Sequence, residues 1–184
     1  MMCMYSKKHI LGLGLVGLLS GLLSFWILRQ FYVLEIIPGL VFGFMIGAYY
    51  FVIENKGIFE SVYKFGLFLI ASTLSYVVAY GVVLMTGAFL WIFSTVLAGA
   101  VGTAILLYFF KKIGYPFRAE DFRYLVCGGA ILGVSYWFGN NLSFFEEKGP
   151  SSMWNNLFVL LPIWQAGMAA LLGWTTCHVA AKGK

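Results

Sequence analysis

Glu35 is the only acid in an apolar run at 31–53, and an ionisable group there is expensive to hold unless it pairs or does work. The work it suits is handling a solute or a proton. The competing role is structural, with Arg29 close enough across a short turn to neutralise it. Pro38 follows three residues later. Inside a helix it removes a backbone hydrogen bond and presses on the carbonyl of Leu34, beside the acid. Pro162 would do the same to Phe158, with Gln165 in the next turn. Paired proline-interrupted spans point to a transporter binding site, where freed backbone groups meet a ligand. The plainer alternative is that Pro38 starts its helix and leaves 31–37 as an interfacial lead-in.

Ser72, Tyr76 and Tyr80 recur every fourth residue and so share one helix face. Buried tyrosine hydroxyls require partners. Glu35, Tyr76, Tyr80, Trp164 and Gln165 therefore form the candidate ligand-binding set, a few polar anchors among apolar walls. Interhelical packing and hydrogen bonding explain the same residues without a ligand. Catalysis has less support, because HExxH, GxSxG, P-loop and dinucleotide signatures are missing and no second acid or histidine stands beside Glu35. No catalytic residue is assigned, and the reading leans against an enzyme. Cys3, Cys127 and Cys177 map to the inner side, where thiols stay reduced. Cys177, His178 and His9 match no zinc spacing, so neither a metal nor a cofactor is expected.

These residues must be positioned by elements suited to lipid. Hydrophobic residues make up 61% of the chain and charged ones 10%, and the mean hydropathy is +0.90. That composition predicts one integral membrane domain over 1–184, with no polar segment large enough for a separate soluble unit. The net charge of +5 does not indicate nucleic acid, because the basic residues sit in short clusters between apolar spans.

Six continuous apolar runs without strand alternation predict an all-α polytopic bundle, with transmembrane helices at about 9–28, 31–53, 63–84, 88–110, 122–138 and 156–179. With the N-terminus inside, the inner segments hold Lys7, Lys8, Lys56, Lys64, Lys111, Lys112, Arg118, Arg123, Lys182 and Lys184. The outer segments hold Arg29 and Lys148, so ten of the 12 basic residues favour cytoplasmic placement of both termini. Met85, Thr86 and Gly87 then form an outer turn. Lys7, Lys8 and the run after them resemble a signal peptide, but no small-residue cleavage site follows, and the first helix is expected to be retained.

Gly39, Gly43 and Gly47 form a bare ridge at four-residue spacing that should face protein as a helix-packing surface. Gly14, Gly17, Ser20, Gly21 and Ser24 make a similar face on the first helix. Ser94, Ala98 and Gly102 make one on the fourth. Together these features predict a transport-class protein that holds a small solute in an outward-opening pocket between helices two, three and six. The alternative is a noncatalytic membrane subunit or scaffold. The partners implied are the lipid bilayer and a small-molecule solute, or, for the alternative, a second copy or another membrane protein. The lack of charge rings or a recognisable filter speaks against a channel.

Overall fold

The computed structural model describes residues 2–31, 36–53, 62–90, 92–112, 119–141 and 151–182, and all of these except Ile36 are helical. Glu35 lies outside the described residues. The helices are α1 (Met2–Phe31), α2 (Ile37–Ile53), α3 (Val62–Leu90), α4 (Ile92–Lys112), α5 (Ala119–Gly133) and α6 (Ser151–Lys182). A 3-10 segment, Val134–Asn141, continues from α5.

Several helix ends differ from the sequence reading, with α1 starting at Met2 and not at 9 and α6 at Ser151 and not at 156. Pro38 is the second residue of α2, so that helix starts at Ile37 and not at 31. Proline fits this place because the first turn of a helix has no internal acceptor for its missing N–H. The outer turn expected at 85–87 is helical instead, and α3 runs on to Leu90. Thr86 supports the continuation by donating its hydroxyl to the Val82 carbonyl at 2.7 Å.

The helices fall into a long and a short group, with α4 between them at about 32 Å. At about 1.5 Å per residue, α1, α3 and α6 reach roughly 43–48 Å, whereas α2 and α5 reach only about 22–26 Å. Four stretches, Lys7–Gln30, Val62–Gly87, Phe93–Lys112 and Asn155–Thr175, are long and apolar enough to cross a membrane. Ile37–Tyr50 is a shorter apolar helix. These apolar helices suggest a membrane location. The outer surface agrees, since Leu11, Phe44, Ile70, Phe93, Ile131 and Ile163 on six successive helices all point their side chains outward.

Glycine contacts fix how neighbours pack. Close approaches pair Gly12 with Tyr49, Gly39 with Thr73, Gly47 with Phe65, Gly102 with Ala79 and Ser75, Gly133 with Thr95, Gly167 with Leu132, and Gly173 with Ile10. Where two helices share several such contacts, rising numbers on one meet falling numbers on the other, as Gly39, Gly43 and Gly47 meet Thr73, Leu69 and Phe65, so these neighbours are antiparallel. The six helices form a ring in chain order, closed by α6 against α1. α1 and α6 therefore carry the two chain ends to the same end of the bundle. Lys7, Lys8, Lys64, Lys111, Lys112 and Arg123 cluster there, with the exposed rings of Tyr63, Tyr108 and Tyr124. At the opposite end, Arg29 is the one basic residue among the described residues.

Candidate functional site

Gln165 is 1% exposed on α6, in an apolar surrounding where each of its polar atoms needs a partner. Ser20 donates its hydroxyl to Gln165 Oε1 at 2.6 Å. Gln165 Nε2 donates to the Pro38 carbonyl at 3.2 Å and to Ser24 Oγ at 3.5 Å. A carbonyl oxygen only accepts, so the amide nitrogen must face Pro38. The glycines of α1 make this arrangement possible. A Cβ at Gly21 would lie 2.6 Å from the Leu161 backbone, and one at Gly17 would lie 2.8 Å from the Ala169 methyl. α1 thus rides directly on α6 and brings Ser20 and Ser24 to the amide.

α2 is seated on α3 in a similar way. A Cβ at Gly39 would lie 2.6 Å from the Thr73 Cα, and one at Gly43 would lie 3.1 Å from the Leu69 Cα. Gly47 lies under the Phe65 ring. Ser72 donates to the Gly39 carbonyl, and Ser75 donates to the Gly102 carbonyl at 2.5 Å, joining α3 to its neighbours on both sides. A small gap with about 10 Å3 of room remains between Pro38, Gly39, Phe42, Ser72, Tyr76, Trp164 and Gln165.

A larger cavity with about 120 Å3 of enclosed room lies between α3, α4, α5 with its 3-10 segment, and α6. Ser75, Tyr76, Ala79, Tyr80 and Val83 form its α3 wall, and Leu157, Leu160, Leu161 and Trp164 its α6 wall. Thr95, Ala98, Gly99 and Gly133 supply little volume, which leaves the space open, and Tyr136 borders it from the 3-10 segment. That segment is held in place by Trp137, whose indole N–H donates to Thr95 Oγ1 at 3.1 Å. Ser135 secures its first turn by donating to the Leu132 carbonyl at 2.6 Å.

Tyr76, Tyr80 and Trp164 are therefore brought to one cavity, while Gln165 belongs to the hydrogen-bonded knot beside it. Tyr76 and Trp164 border both spaces and stand between them. The larger space involves α3 to α6, not α2, α3 and α6, because Gln165 and Pro38 fill the ground next to α2. Thr95 and Tyr136 are site residues that the sequence reading missed. Thr95 carried no signal of its own, and Tyr136 sits in a segment too short and irregular to show a helical stripe.

The cavity occupies one half of the bundle only. Its walls come from the C-terminal part of α3, the N-terminal part of α4, the end of α5 and the N-terminal part of α6. The other half holds the main buried cluster among the described residues. Phe68 and Phe110 meet edge to face with centroids 4.6 Å apart, among Leu13, Ile46, Tyr50, Leu107 and Leu172, all fully or nearly fully buried. That half is the basic end.

The described residues contain no group of three or more His, Cys, Asp or Glu side chains placed to hold a metal. No protein-family model, curated protein or solved structure matches the chain.

Proposed function

We propose that this chain is a single-domain integral membrane protein of the transport class that holds a small solute in the cavity between α3, α4, α5 and α6. In this reading the protein crosses the cell membrane six times with both termini cytoplasmic, and the cavity opens outward. The observation that carries it is the asymmetry along the bundle axis. A cavity with about 120 Å3 of enclosed room, walled by aromatic and aliphatic side chains with a few polar groups as small-molecule sites are, lies in the half away from the basic end, over a buried aromatic and aliphatic cluster. The charge pattern supports the orientation, since basic residues favour the cytoplasmic side.

Tyr76, Tyr80 and Trp164 act as ligand-binding residues, and Gln165 supports them from behind Trp164. Glu35 is assigned the solute- or proton-handling role on its chemistry and its place three residues before Pro38. Native mass spectrometry of protein released from lipid nanodiscs tests the reading. A small molecule retained by the wild type and lost from Leu160→Trp, which fills the cavity, supports it. Protein that carries no small molecule, and that instead keeps a stoichiometric membrane-protein partner, makes it a subunit or scaffold.

A further inference from the structure

We infer that the solute is an uncharged molecule with a flat aromatic part. This rests on the reading of the cavity as a solute site and names its chemistry. None of the described residues that line the cavity carries a formal charge. The polar groups that its lining residues carry are the hydroxyls of Tyr76, Tyr80, Tyr136, Thr95 and Ser75 and the indole N–H of Trp164, with Ser75 already donating to Gly102 and Thr95 accepting from Trp137. Hydroxyls donate and accept with equal ease, so they satisfy amide, hydroxyl or carbonyl groups on a neutral ligand. They cannot neutralise an ion. A ligand bearing a full charge would enter a low-dielectric space with no counter-charge among these walls, which is unfavourable for either sign.

The shape of the walls narrows the class further. Four aromatic side chains contributed by α3, the 3-10 segment and α6 face a space otherwise bounded by leucine, valine, alanine and glycine. Aromatic faces and edges pair best with another ring in offset or edge-to-face geometry. A cation held over these rings is the strongest competitor. It is disfavoured because no described residue of the cavity wall offers a carboxylate to offset desolvation.

Three probes separate these outcomes. N-phenyl-1-naphthylamine is neutral, 8-anilinonaphthalene-1-sulfonate adds a sulfonate to the same rings, and tetraphenylphosphonium is an aromatic cation. Each is titrated into nanodiscs holding the wild-type protein, with empty nanodiscs subtracted. Leu160→Trp and Ala98→Phe narrow the cavity from two different helices, and Leu97→Trp alters the outward face of α4 as a control. The expected result is saturable binding of the neutral probe that weakens at least tenfold in both cavity variants and is kept in the control. The sulfonate and the cation should bind at least tenfold more weakly than the neutral probe. A charged probe that binds as tightly, with the same dependence on Leu160 and Ala98, overturns the assignment of a neutral ligand and leaves the solute site standing. Loss of any cavity-dependent signal for all three overturns both.

Discussion

Gln165 on α6 donates its side-chain amide to the carbonyl of Pro38 on α2, 3.2 Å away and 127 residues apart in sequence. With Ser20 bound to the other end of the same amide, one side chain ties three helices together beside the cavity. Gln165→Leu keeps the volume and removes these bonds, at an expected cost of about 1–3 kcal/mol. Ser20→Ala should cost about 1 kcal/mol and Ser24→Ala, whose contact is long, about half of that or less. Reversible unfolding in mixed micelles measures the order, and an equal loss for the two serines would contradict this geometry.

Glycines should respond in opposite ways according to what lies over them. A Cβ at Gly21 meets the Leu161 and Pro162 backbone, which cannot move aside, so Gly21→Val should cost about 3 kcal/mol or more by forcing α1 off α6. Gly66 and Gly81 have nothing within 4 Å of an added Cβ. Changing either to alanine should stabilise α3 by about 0.5–1 kcal/mol, because alanine loses less backbone freedom on folding. The same unfolding assay reads both.

The bond from Trp137 to Thr95 pins the 3-10 segment to α4 and with it the placement of Tyr136. Trp137→Phe and Thr95→Val should each cost about 1 kcal/mol, and the double variant less than their sum, since they break one shared interaction. Amide exchange over 134–141 should quicken in each. Additive losses would mean that the two side chains act separately.

The six helices were legible because continuous apolar runs have few other uses, and the segregation of basic residues to one end followed from their clustering. Tyr76 and Tyr80 were legible as a stripe because helical residues four apart share a face. The beginning of α2 was ambiguous, since proline either kinks a helix or starts one, and the packing of Gly39 on Thr73 goes with the second outcome. Thr86 and Gly87 read as a turn, yet in an apolar surrounding the helix satisfies their backbone best and continues. The partners of Gln165 were beyond reach because they lie 127 and 145 residues away and depend on how the ring closes.

Glu35→Gln separates the two roles open to that acid. Its assignment to solute or proton handling predicts at least a tenfold loss of solute uptake into proteoliposomes, with the unfolding midpoint unchanged. A drop in stability matched by Arg29→Gln, with uptake intact, would make Glu35 a structural partner of Arg29.

Cysteine accessibility in intact cells tests the membrane orientation and the opening of the cavity together. In a background with Cys3, Cys127 and Cys177 changed to serine, Tyr80→Cys on the cavity wall should react with a membrane-impermeant maleimide added outside. Lys64→Cys, at the basic end of the same helix, should react only after permeabilisation. Labelling of Lys64→Cys from outside, with Tyr80→Cys protected until the membrane is opened, would contradict an outward-opening site in a bundle whose basic end faces the cytoplasm.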